Sequence, residues 1–304
     1  MLANFFGKSK PVNFILIIVL FLSYYVLDLF IYNSIEFKLE YLIALPLFLG
    51  VFFLYNFIIS KNKLTYDNSY AFLLFVVGIG FLPSLNVDYS ELINYLLLLL
   101  FFRKVYSLRT LKTIYSKLFD SGFWLGILFL FAPQYLLYVL LMYVSVLLFL
   151  KITFRTIIIP LIGVLIPVFL FFTYHMYNET LEVFYSLFNV DFKFDFENTS
   201  SNYYILLFSF FGIFSLISIV LKSGKIFSVS NKFKKSWTLL IVHLFLAVGF
   251  IVLKPIKNGS ELISFLIPAS IIITNWLQTV KKKVIVNLVL LIFLVTSFII
   301  HFII

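Results

Sequence analysis

Asp28 lies near the far end of a long apolar run that opens at Pro11, and it is the one carboxylate inside any predicted span other than Asp88 and Glu91 at the mouth of the run 88–102. An ionised group at that depth is costly unless it faces water or a partner. Two readings stay open: a general base that deprotonates an acceptor hydroxyl, or an acid that snorkels to the interface with no chemical role. Chemistry also gathers in the turn Lys254-Pro255-Ile256-Lys257-Asn258-Gly259-Ser260-Glu261. Its two lysines sit beside a helix expected to start after Ser260, an arrangement suited to a phosphate or carboxylate. Ser260 would cap that helix and Glu261 would favour its positive end. The same charges would equally make a surface salt-bridge cluster of little consequence. A third set joins His175 and Tyr174 to the acids Glu179, Glu36, Glu40, Asp88 and Glu91. It offers proton transfer or a divalent cation site in residue type, with no spacing specific to either. We therefore take Asp28 and His175 as candidate catalytic residues, and Lys254, Lys257 and Glu261 as candidate substrate-binding residues. His243 and His301 are expected to make helix–helix hydrogen bonds.

The elements that must position these residues follow from composition. Of 304 residues 63% are hydrophobic and 12% charged, with 41 Phe and 19 Tyr, against roughly 25% charged in soluble proteins. Mean hydropathy is +1.11. A soluble core cannot hide so much apolar surface, so the chain must be solvated by lipid. The absence of Cys excludes disulfides, thiolate metal sites and a Cys nucleophile. The three His are too far apart for a paired metal motif, and no nucleotide-binding glycine motif or nucleophile elbow occurs. No cofactor is implied. Richness in Lys, Asn, Ile and Phe reads as an AT-rich bacterial coding sequence.

Apolar runs between charged clusters predict an all-α, polytopic transmembrane bundle of about eleven segments, near 12–32, 41–60, 70–85, 88–102, 121–133, 134–150, 156–174, 203–221, 237–253, 262–279 and 284–304. With the N-terminus inside and every segment crossing, nineteen of the 23 Lys and Arg fall on the inner side. Lys38, Lys193, Lys254 and Lys257 are the exceptions. Ten of the 13 acids fall outside. That asymmetry assigns an N-in, C-out topology, and it explains the net charge of +10 without nucleic acid.

Residues 123–150 form one apolar stretch broken near Pro133, about 42 Å long as a straight helix. Two short pieces turning at Ala132 to Gln134 keep Lys117 and Lys151 on one side, either as two thin crossings or as a re-entrant pair. The chain reads as a single membrane domain, 1–304. Within it, residues 103–120 read as an inner amphipathic helix on anionic headgroups. The outer loop 175–202 carries a short interfacial helix near Glu179 to Leu187, and serves either as a lid or as an aromatic-belt loop.

FFRKVYSLRTLKTIYSKLFDSGFWLGILFLFAP (Phe101 to Pro133), FFGKSKPVNFI (Phe5 to Ile15) and KNGSELISFLIP (Lys257 to Pro268) resemble a Bacteroidota family of uncharacterised polytopic inner-membrane proteins, a domain of unknown function. The layout also resembles, more weakly, membrane glycosyltransferases and polymerases that use polyprenyl-phosphate sugars. That resemblance implies an acid at the first outer loop, matched by Asp28, Glu36 or Glu40, and cations for the lipid phosphate, matched by Lys254 or Lys257. The paired-acid motif of those enzymes does not occur between Tyr32 and Glu40. The implied function is handling of a lipid-linked anionic substrate in envelope glycan biogenesis, with membrane lipids and an envelope protein complex as partners. The alternative is a non-enzymatic scaffold or transporter subunit.

Overall fold

A computed structural model describes residues 1–32, 39–82, 85, 88–188, 202–224, 230–254 and 259–303. Thirteen α-helices and no strand occur among them. In chain order they are α1 (Leu2–Phe5), α2 (Pro11–Tyr32), α3 (Leu39–Asn62), α4 (Tyr70–Ile79), α5 (Tyr89–Ser107), α6 (Ile114–Phe131), α7 (Val139–Phe149), α8 (Phe154–Tyr177), α9 (Leu181–Ser186), α10 (Asn202–Ser223), α11 (Asn231–Leu253), α12 (Leu262–Leu277) and α13 (Lys283–Ile303). Seven, namely α2, α3, α6, α8, α10, α11 and α13, are long and apolar enough to cross a membrane. Each of the eleven segments expected from the sequence holds a helix, but α4, α7 and α12 are shorter than a full crossing and α5 carries too many charges. No linker marks a domain boundary in the sequence, yet the contacts gather into two compact units. One comprises Met1–Glu91, Asp195–Ser230 and Lys257–Ile304, the other Leu92–Phe194 and Asn231–Ile256.

The first unit is built around its two shortest apolar helices. All ten residues of α4 are buried, as are all of α12 but Trp276. These helices are about 15 and 24 Å long, against a hydrocarbon core of roughly 30 Å. Helices that are apolar all round belong inside a protein, and α2, α3 and α13 pack on α4 while α10 packs on α12. The two central helices meet closely at Gly78, where a Cβ would lie 2.6 Å from the Leu266 side chain. Aromatic rings fill the surrounding layer: Phe21 lies edge-on to Phe52 at 4.8 Å, and Tyr55 stacks on Phe75 at 4.1 Å. Three buried hydrogen bonds join distant segments of the unit. The Tyr55 and Ser270 hydroxyls are 2.5 Å apart, those of Tyr24 and Ser297 2.6 Å apart, and Asn275 Nδ2 donates to the Leu64 carbonyl at 3.0 Å.

The second unit turns on glycine. A Cβ at Gly122 would lie 2.0 Å from the Pro160 carbonyl oxygen, one at Gly126 2.4 Å from that of Val164, and one at Gly163 2.4 Å from that of Phe119. Only small residues let α6 and α8 approach so closely, as in membrane helix pairs with a small-x-x-x-small spacing. Gly122 faces Pro160 and Gly126 faces Val164, a constant offset, so α6 and α8 run parallel. The segment between them must therefore return along their length. It does so as a 3₁₀ turn at Pro133–Tyr138 followed by α7, after Ala132 leaves the helix with φ −155° and ψ 117°. The predicted break at Ala132 to Gln134 is present. At the other end Leu108, Leu118 and Val146 form a small core with Ile114, Phe149, Leu150 and Ile159, which brings the starts of α6 and α8 together with the end of α7.

Residues 103–120 are not one helix. α5 continues to Ser107, a 3₁₀ turn covers Leu108–Thr110, and Leu111 and Thr113 take left-handed φ values of 54° and 46° before α6 starts at Ile114. This early start makes α6 eighteen residues long, about 27 Å, instead of the thirteen expected. The turn is held by side chains: Lys117 Nζ donates to the Ser107 carbonyl at 2.7 Å and to Thr110 Oγ1 at 2.6 Å. Lys104 pairs with Asp120 at 2.6 Å, linking the end of α5 to α6.

Candidate functional site

The second unit presents two apolar grooves that reach α9 and the residues after it, one at the end where α6 and α11 finish and the other along α8. α8 runs to Tyr177, and Glu179 then takes φ 56°, a left-handed turn that reverses the chain. The turn is closed twice: Thr180 N donates to the His175 carbonyl at 2.9 Å, and His175 Nδ1 lies 2.7 Å from Thr180 Oγ1. His175 also leans on Phe171, ring centroids 4.3 Å apart. Its ring therefore positions the turn into α9. The interfacial helix predicted near Glu179 to Leu187 is present as α9 (Leu181–Ser186). It is pinned by aromatics at three-to-four-residue spacing: Phe184 lies edge-on to Phe172 at 5.0 Å, and Phe188 lies 5.9 Å from Phe129.

One groove, of about 310 Å³, is lined by Phe129, Pro133, Leu136, Leu137, Leu187, Phe188 and Leu253, with Gln134 as its polar side chain. The space exists because Ala132 and Pro133 interrupt the helix there, so no continuing turn of α6 fills it. The second groove, about 440 Å³, runs along α8 past Ile162, Leu165, Phe169 and Phe172 to Phe184. Lys254 follows directly on Leu253. It is half-buried, and its backbone N–H donates to the Phe250 carbonyl at 3.0 Å, which extends the last turn of α11. A cation at a helix C-terminus is favourably placed. The groove that ends at Leu253 suits the apolar tail of a molecule whose anionic head meets the lysine next in the chain.

The remaining candidates lie elsewhere. Asp28 on α2 is 1% exposed and Glu261 is fully buried, both in the first unit. Asp28 thus turns into the protein and does not snorkel to the interface. Ser260 does not cap α12: the N-cap is Glu261, in αR geometry, with no side-chain capping bond. Its backbone arrives through Gly259 at φ 91°, a value that suits glycine. Lys257 and Glu36 lie outside the described residues, and Glu40 falls in the first turn of α3. The four described residues among the five picked from the sequence are therefore split, with His175 and Lys254 at one end of the second unit and Asp28 and Glu261 inside the first.

Sequence reasoning missed the grooves themselves, which form from segments far apart along the chain. Their only local signals were the Ala132-Pro133 break and the Phe184, Phe188 spacing. His243 behaves as expected: fully buried on α11, its Nδ1 lies 2.8 Å from the Tyr106 hydroxyl on α5, and its ring packs 4.1 Å from Phe102. No protein-family profile, no curated protein and no solved structure matches the chain.

Proposed function

We propose that this protein binds a lipid-linked anionic substrate in the bacterial inner membrane and acts on it during envelope glycan biogenesis, in the manner of a polyprenyl-phosphate-dependent glycosyltransferase or polymerase. The observation that carries this reading is the apolar groove of about 310 Å³ that ends at Leu253, with the Lys254 ammonium next in the chain. In the N-in, C-out arrangement of eleven segments, that end of the second unit faces outward, where lipid-linked glycans are assembled. Lys254, with Lys257 beside it in sequence, would offset phosphate charge as it develops. On the sequence reading, Asp28 is the candidate base for an acceptor hydroxyl. The likeness of Phe101 to Pro133 to a Bacteroidota inner-membrane family agrees with this location.

The test is genetic and chemical together. Asp28→Ala and Lys257→Ala strains are assayed for envelope glycans with the protein level as control. Loss of a glycan at normal protein level supports the transferase. Unchanged glycans in both strains remove it and leave the scaffold or transporter subunit.

A further inference from the structure

A polar cavity of about 270 Å³ opens in the first unit, where the end of α12, the start of α13 and the turn between α3 and α4 meet under α1. It shares no residue with the grooves of the second unit. Its wall is built by hydrogen bonds. Ala3 N donates to Asn287 Oδ1 at 2.7 Å, and the Tyr70 hydroxyl donates to the Ala3 carbonyl. Lys283 Nζ donates to Asn4 Oδ1 at 2.7 Å. These contacts fix α1 as one side of the cavity.

The polar groups that line it have a definite pattern. Gln278 Oε1 accepts from Tyr66 N at 3.2 Å, which orients the amide and leaves Nε2 as a donor. That nitrogen is buried with no protein partner, an arrangement that calls for an acceptor from elsewhere. Lys283 lines the same space and has two N–H groups beyond the one on Asn4. Asp67 lines it too, exposed at the mouth. The cavity thus offers two donors, one of them cationic, and one carboxylate, with no ion pair joining Lys283 to Asp67 among the described contacts.

From this geometry we infer that the cavity binds a phosphoethanolamine headgroup. The phosphodiester, a monoanion, takes the Gln278 amide and the Lys283 ammonium, and the ethanolammonium takes Asp67, so each charge meets its opposite. The volume is below the roughly 300–1,000 Å³ of drug-sized pockets and fits a headgroup. The ligand is either the head of a phospholipid or the free glycerophosphodiester.

The full-length protein is unfolded by heat in detergent with glycerophosphoethanolamine or glycerophosphocholine, and in nanodiscs of phosphatidylethanolamine or phosphatidylcholine. Well above its dissociation constant, the ethanolamine ligand raises the midpoint by roughly 5 °C. The choline analogue, with no N–H for Asp67, does not. Asp67→Asn, at an exposed position, keeps the ligand-free midpoint and loses the shift, and Lys283→Gln loses the shift relative to its own ligand-free midpoint. A shift in detergent assigns the soluble diester, and a shift confined to nanodiscs assigns the lipid. Equal midpoints with ethanolamine and choline in both formats, or a shift retained in both variants, overturn the inference.

Discussion

The Tyr55 hydroxyl carries a buried hydrogen bond to Ser270 between α3 and α12, and Ser270 in turn donates to Leu266 O at 2.7 Å. Removing it in Tyr55→Phe should cost about 0.5–1.5 kcal/mol, read as a shift in the midpoint of SDS-induced unfolding. No change would mean that the bond does not form in the membrane-embedded protein. At this scale the sequence was a partial guide. Asp28 was legible as unusual because a carboxylate inside an apolar run costs free energy wherever it points. Its direction was not, since α2 is apolar on every side and its composition marks no preferred face. His243 was legible because a mid-span imidazole needs a partner, although nothing local named Tyr106, 137 residues away. Ser260 misled because Ser before an apolar run is a strong cap signal, whereas here the first turn of α12 is closed by backbone bonds from Leu262 and Ile263 to Gly259 and Ser260.

Among the elements, the α6–α8 pair makes the sharpest prediction. Gly122→Ala places a Cβ 2.0 Å from a backbone oxygen, which no rotamer change relieves, so the helices must part. The expected loss is about 1–3 kcal/mol. Gly212 on α10 has nothing within 4 Å of its missing Cβ, and Gly212→Ala should instead gain up to about 1 kcal/mol from helix propensity. Equal effects at the two positions, by SDS unfolding, would contradict the packing described. Helix existence was legible throughout, because eleven apolar runs separated by charges leave few other structures for a chain in lipid. Boundaries and roles were harder to read. Charges at 103–117 suggested a helix lying on the surface, but Lys104 and Lys117 are used to fasten a turn, which lets α6 begin seven residues early. The burial of all of α4 and of all of α12 but Trp276 was also hidden, because an apolar run facing protein looks the same in sequence as one facing lipid.

For the molecule as a whole, charge is the basis of the topology we propose, and remote contacts supply the division into two units. The first unit draws on three separated stretches of the chain, so no composition shift announces it. Because the chain has no Cys, single cysteines report sidedness without background. Ser9→Cys and Lys112→Cys should resist an impermeant maleimide added to intact spheroplasts, and Asn178→Cys and Glu182→Cys should react. The opposite pattern would invert the topology and move the grooves beside α9 to the cytoplasmic side. The central claim is that the groove ending at Leu253 holds the tail of a lipid-linked phosphate whose charge meets Lys254. Its most direct test is photolabelling of the purified protein with a diazirine-bearing polyprenyl phosphate, with the labelled peptides mapped by mass spectrometry. The account predicts label on residues 133–137 and 187–188, reduced several-fold in Lys254→Glu at unchanged thermal stability. Label spread over the lipid-facing surface of α8, or equal labelling of the Lys254→Glu variant, would contradict it.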